Sequence, residues 1–172
     1  MITNKVLLKY AQSLKDHGDG RDLPVLLITV GIPGSGKSTW IRSQKGFEVV
    51  SLDEIRKQLT GSITNQNKEK EVVDIGRNKI KQLLSAGKNV IYDATNVKYW
   101  FRQNMLKDMP PHIKKAKIFH VDPEEAKKRI RQDIENKVDR SNVPPEKIDE
   151  LYKHFTNTIS RHELENEGFE II

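Results

Sequence analysis

The run Gly31-Ile32-Pro33-Gly34-Ser35-Gly36-Lys37-Ser38-Thr39 constrains this chain more than any other stretch. It sets a glycine four residues ahead of Gly36-Lys37-Ser38 and follows the apolar run Val25-Leu26-Leu27-Ile28-Thr29-Val30. A buried strand is therefore expected to feed a tight loop, with a helix leaving it. Glycines let such a loop turn its N–H groups inward around a phosphate, and the helix presents its positive N-terminal end to the same anion. In this frame Lys37 reaches the β- and γ-phosphates of ATP, and Ser38 holds Mg²⁺. The rest of the cradle is Gly31, Ile32, Pro33, Gly34, Ser35, Gly36 and Thr39.

A chain of 172 residues suits one domain built around that loop. Residues 1–16 put Val6, Leu7, Tyr10, Ala11 and Leu14 on one helical face, so residues 1–23 read as an added amino-terminal helix outside the sheet. No apolar run approaches the roughly 20 residues of a membrane helix, so no membrane partner is expected. Met1-Ile2-Thr3-Asn4-Lys5 does not begin a signal peptide, and the absence of cysteine fits the cytoplasm. The net charge of +6 fits an anionic partner, nucleotide or nucleic acid, and equally fits lysine-rich helices that are simply solvated.

After the loop, Lys37 to about Gln44 is expected to be helical, and Phe47-Glu48-Val49-Val50-Ser51 reads as a second strand. In a parallel α/β sheet the strand carboxyl ends converge on one edge, where ligands bind. Asp53 thus arrives beside the phosphate loop, and Arg56, three residues on, shares its helix face. A carboxylate there can take the proton of an attacking hydroxyl, and an arginine can hold a phosphate on the acceptor. Asp53 also suits a helix cap. The polar segment 61–67 reads either as a wall of the acceptor cleft or as a plain connection. It leads to a long helix from about Lys68 to Ala86, with Val72, Val73, Gly76, Ile80, Leu83 and Leu84 inward and Gly87 ending it.

Val90-Ile91-Tyr92 is the next expected strand, with Asp93 at its carboxyl end, where an acid acts on Mg²⁺ or its waters. Asn96 is expected to cap a helix that turns Val97, Trp100, Phe101 and Met105 inward; their helical period assigns these rings to the core and not to base stacking. Ile113 to Val121 reads as a further strand. Asp122 then caps a helix with Pro123 first and Glu124-Glu125 in its first turn. From there the chain is basic, Lys127-Lys128-Arg129-Ile130-Arg131 and then Arg140. Residues 123–145 so form a candidate lid bringing arginines to the transferring phosphoryl group, or a solvated basic face. Pro144-Pro145 opens a helix with Ile148, Leu151, Tyr152, Phe155 and Ile159 on one side, and Gly168-Phe169-Glu170-Ile171-Ile172 begins a last strand. The histidines show no metal-ligand spacing.

Four stretches in this order, Gly31 to Trp40, Asp53-Glu54-Ile55-Arg56, Val90 to Asn96 and Arg140-Ser141-Asn142-Val143-Pro144, resemble the phage-type polynucleotide 5′-kinases within the wider group of small P-loop (AAA_33/zeta-toxin-like) kinases. The resemblance implies a P-loop NTPase three-layer α/β/α sandwich with a mainly parallel sheet and a helical lid. It implies ATP and Mg²⁺ as donor and metal, nucleic-acid 5′ ends as substrate, Asp53 as general base and Arg56 on the acceptor phosphate. Asp93 would serve the site at the strand end, and Arg140 would come from the lid to the donor phosphates. The chain departs from the pattern between Arg131 and Arg140, where the lid is longer; Arg131 is preferred over Arg129 as the second lid arginine. The group also contains small-molecule and toxin-type kinases, so a small metabolite acceptor and a nucleotide-binding module stand as alternatives.

Overall fold

The structure is a computed structural model that describes residues 23–172 except 64, 66, 139 and 141. The helix expected over residues 1–16 lies outside the described residues. The apolar run before the phosphate loop forms β1 (Val25–Val30), whose last five residues are all buried. The loop delivers the chain into α1 (Lys37–Arg42), and β2 (Glu48–Ser51) follows. Next come α2 (Leu52–Thr60), α3 (Glu69–Ser85), β3 (Val90–Asp93), α4 (Tyr99–Leu106) and β4 (Ile113–Ile118). The described chain ends with α5 (Pro123–Glu135), α6 (Pro145–Thr158), α7 (Arg161–Asn166) and β5 (Glu170–Ile171).

The five strands of the described residues lie in the order β2-β3-β1-β4-β5, and every neighbouring pair is parallel. The fold is thus the expected α/β architecture, a parallel sheet flanked by helices, with β1 at its centre. Alternation along β1 divides the core. Leu26, Ile28 and Val30 join the larger cluster with Val50, Val72, Ile80, Val90, Ile148 and Phe155. Leu27 joins Ile91 and Ile41 of α1 on the other face, with Trp40 and Phe47 packed against them.

Local signals set the ends of the elements. The Asp122 carboxylate accepts from the N–H groups of Glu124 and Glu125, and Pro123 occupies the first turn of α5, as its sequence predicts. Helix α3 ends where Lys88 N–H donates to the Leu83 carbonyl and Gly87 N–H to that of Leu84, with Gly87 at φ +72°. That pair of bonds requires a left-handed residue after the last turn, which glycine adopts without strain.

Three expectations are corrected. Strand β4 stops at Ile118 and not at Val121, because its partner β1 ends at Val30; Phe119 N–H makes the final contact, 2.8 Å from the Val30 carbonyl. Asn96 caps no helix. It sits at φ +51° and turns its amide inward to the Thr29 carbonyl at 2.8 Å, so α4 starts later, after Lys98. Arg102 and Met105 take the buried face of α4, and Trp100, expected inside, is 64% exposed, while Val97 and Met105 are buried as expected. Helix α7, capped by the Ser160 hydroxyl, was not anticipated.

Candidate active site

The phosphate loop sits at the carboxyl end of the central strand. Gly31 N–H donates to the Thr95 carbonyl at 3.0 Å, so the start of the loop is pinned to the segment that leaves β3. Gly34 has φ +81°, and a Cβ there would lie 2.8 Å from the backbone carbonyl oxygen of Ala126 in α5. Both facts demand glycine, and the second shows that the basic helix lies directly against the loop. Ile32, Ser35 and Lys37 are buried, Pro33 and Gly34 half-buried, and Gly36, Ser38 and Thr39 exposed.

Lys37 folds back over its own loop. Its ammonium donates to the Gly31 and Ile32 carbonyls, each at 2.9 Å. Burial pulls its pKa down to about 8; Asp93 and Asp53 oppose the fall and Arg140 adds to it. Four groups predicted from separate stretches therefore act on one another electrostatically around the loop. The strand register explains part of this: Ser51 of β2 lies beside Asp93 of β3, so both strands end level at the ligand edge. Asp93 has its pKa raised by burial, with Lys37 and a Ser51 hydrogen bond working against the rise and Asp53 adding to it.

Asp53 stands in the first turn of α2 and is not its cap; Ser51 holds that position. Its side chain is 54% exposed and is paired with Arg56. Arg56 itself is buried, and its donors are shared out. Nη1 serves Asp53 and the Ile63 carbonyl, while Nε and Nη2 reach the Glu69 carboxylate at 2.9–3.0 Å. Burial works against its charge, yet the pairing with Glu69 and then Asp53 raises its pKa above the ordinary value. Glu69 is the residue that sequence reasoning missed. It belongs to the alternating run Lys68-Glu69-Lys70-Glu71, which reads as a solvated helix face, and it opens α3, which the fold returns beside α2.

The arginines of the expected lid differ in position. Arg140 is half-buried and paired with Asp133, with its Nε buried and unpartnered among the described residues. Arg129 reaches the phosphate loop, donating from Nη1 to the Gly34 carbonyl at 3.3 Å and from Nε to Glu125 at 2.8 Å. Arg131, the one preferred from sequence, is exposed on α5. Among the described residues no three or more histidines and carboxylates gather in a form that could hold a metal ion, and no helix is long and apolar enough to cross a membrane.

A family model for the AAA domain, AAA_33, matches residues 26–158. A protein of Autographa californica nuclear polyhedrosis virus, named as a bifunctional polynucleotide kinase/RNA ligase, is 30% identical over an 86-position alignment that covers 42% of this chain and 12% of that protein. A chain of the Pnkp1/Rnl/Hen1 RNA repair complex superposes with a TM-score of 0.66 at 25% identity, covering 87% of this chain and 48% of its own. A second structure of that complex gives 0.54 at 32% identity over 65% and 41%. The chain thus spans less than half the length of each of these relatives. A chain of the PezAT toxin–antitoxin system of Streptococcus pneumoniae, at 17% identity and a TM-score of 0.55, shares the fold.

Proposed function

The chain belongs to the AAA_33 family of AAA domains and is a P-loop kinase by its loop and fold, and from that premise we propose that it transfers the γ-phosphoryl group of ATP to the 5′-hydroxyl end of an RNA or DNA strand. The observation that carries this reading is the Asp53–Arg56–Glu69 arrangement on the strand edge beside Lys37. It supplies a second, acceptor half to a site whose first half is the phosphate loop. The likeness to chains of an RNA repair complex supports a polynucleotide acceptor over a small metabolite.

In the proposed reaction the acceptor 5′-oxygen forms a bond to the γ-phosphorus while the bond from that phosphorus to the β,γ-bridging oxygen breaks. ADP leaves, and the acceptor proton passes to the Asp53 carboxylate. Asp53 suits the task because it is exposed enough to meet an acceptor while Arg56 fixes its direction. Arg56, held on its other side by Glu69, works first as the anchor of Asp53; an acceptor phosphate reaches it by replacing a Glu69 oxygen. Lys37 and Arg140 offset the charge on the donor phosphates, and catalysis here is mainly positioning and electrostatics.

Magnesium fits the residues present. Ser38 offers an exposed hydroxyl in the first turn of α1, and Asp93 is a half-buried carboxylate whose charge that partial burial disfavours. Two protein ligands beside phosphates and water are what this small, strongly hydrated ion ordinarily accepts. When bound it would supply charge compensation at the donor phosphates. Asp53→Asn keeps the shape of the site and removes the proton acceptor. It is expected to leave ATP affinity within about twofold and to lower transfer about 10²- to 10⁴-fold, read by equilibrium nucleotide binding and labelled-phosphate transfer. Unchanged turnover would remove Asp53 from the role of base.

A further inference from the structure

We infer that Tyr99 and Trp100 form a stacking platform for the unpaired bases at the 5′ end of the acceptor strand. The inference rests on the polynucleotide reading above and says where on the surface that strand runs. Tyr99 is 54% and Trp100 64% exposed, while every other Phe, Tyr and Trp among the described residues is buried or half-buried. Leaving two large rings in water costs apolar burial that the same helix achieves for Met105. The pair opens the first turn of α4, which begins just beyond the carboxyl end of β3, so it stands at the ligand edge of the sheet.

A ladder of rings joins the pair to the acceptor half of the site. Trp100 meets Phe101 edge to face, with centroids 5.9 Å apart, and Phe101 stacks on Tyr92 at 6.5 Å. Tyr92 immediately precedes Asp93, and its buried hydroxyl, unpartnered among the described residues, lies in the field of Glu69, Asp93 and Arg56. Trp100 is thus the outer end of a continuous aromatic path whose inner end faces the groups proposed to receive the acceptor. The surroundings suit a polyanion. From Ala94 to Lys107 the chain contains no Asp or Glu; of its three basic residues Lys107 is exposed and Lys98 half-buried, while Arg102 is buried against Glu167. Lys98 is committed in part to Glu150 at 3.2 Å, and Arg102 lies under the Tyr99 ring, its guanidinium carbon 6.0 Å from the centroid. Every base has a π-face, so rings in this position would bind a single strand with little regard to sequence. Lys98, next to them in the chain, would contact the backbone.

The test is steady-state phosphorylation by the wild-type chain and by Trp100→Ala and Trp100→Phe. The acceptors are single-stranded 5′-hydroxyl RNA and DNA oligonucleotides, each also made with its first three 5′ positions abasic. The platform predicts that Trp100→Ala raises KM for the intact strands about tenfold with kcat nearly unchanged, that Trp100→Phe keeps most of the affinity, and that abasic strands bind alike to all three proteins. Trp100→Ala is expected to melt with the wild type, since its ring is exposed. Equal KM values for intact strands in wild type and Trp100→Ala, or an equal loss on abasic strands, would overturn the platform and leave the kinase reading standing. Failure of the wild type to phosphorylate any 5′-hydroxyl strand would overturn the acceptor reading, and the platform with it.

Discussion

Lys37 binds its own loop through two carbonyl oxygens and titrates at about 8. Two carbonyl dipoles compensate an ammonium far less than triphosphate oxygens do, so nucleotide raises this pKa and the protein takes up a proton where Lys37 is part neutral. Calorimetry of ATP binding near pH 8, in two buffers of different ionisation enthalpy, is expected to show uptake of up to about half a proton. The uptake disappears roughly two pH units lower, where Lys37 is already charged, and it is absent in Lys37→Met. Uptake that is the same at both pH values, or that survives in Lys37→Met, would assign the proton elsewhere. The same depression has a sign for folding. Between about 8 and 10.5 the unfolded chain holds more protons at this lysine than the folded one, so its contribution to stability rises with pH across that window. Arg56 shows the opposite balance, where two carboxylates more than offset burial.

The elements that position the site are tied together by one buried ion pair. Arg102 of α4, 2% exposed, reaches Glu167 beyond α7 at 2.5 Å and donates to the Asn96 carbonyl at 2.7 Å. It therefore joins the helix carrying Trp100, the turn after β3 and the carboxyl-terminal helix. Arg102→Ala leaves Glu167 buried without its cation and is expected to cost about 3–5 kcal/mol, whereas Arg102→Met paired with Glu167→Leu should recover much of that loss. Denaturant unfolding of the single and double variants checks it, and a single variant as stable as wild type would contradict it. This pair was not legible in the sequence. Arg102 and Glu167 stand far apart in a chain rich in charge, and nothing local marks one arginine as buried. The strands, the phosphate loop and the cap at Asp122 were legible because each is written in neighbouring residues. Asn96 misled for the same reason: its local pattern is that of a cap, and only the Thr29 carbonyl across the sheet turns its side chain inward. Arg102 and Met105 fill the buried face of α4, and Trp100, expected in the core, stands at the surface.

For the whole molecule, the parallel order β2-β3-β1-β4-β5 gathers the ends of β1, β2 and β3 on one edge. Lys37, Asp53 and Asp93 come from three different strand ends, and Arg140 approaches from the segment after α5. Position in the sequence marked Lys37, Asp53 and Asp93, the resemblance added Arg140, and the fold brings all four into one electrostatic group. The Glu69 half of the Arg56 clamp is a product of the fold alone, since it needs the start of α3 to return beside α2. The net charge of +6 belongs to this scale too, and it suits the proposed pairing of an anionic donor with a polyanionic acceptor. The most direct measurement offers the chain ATP labelled at the γ-phosphate with matched oligonucleotides, RNA and DNA, that end in either a 5′-hydroxyl or a 5′-phosphate, alongside a pool of small metabolites. Label is expected on the 5′-hydroxyl strands and none on the 5′-phosphate strands. Label passing only to a metabolite, or to no acceptor while ATP is bound, would contradict the proposed function.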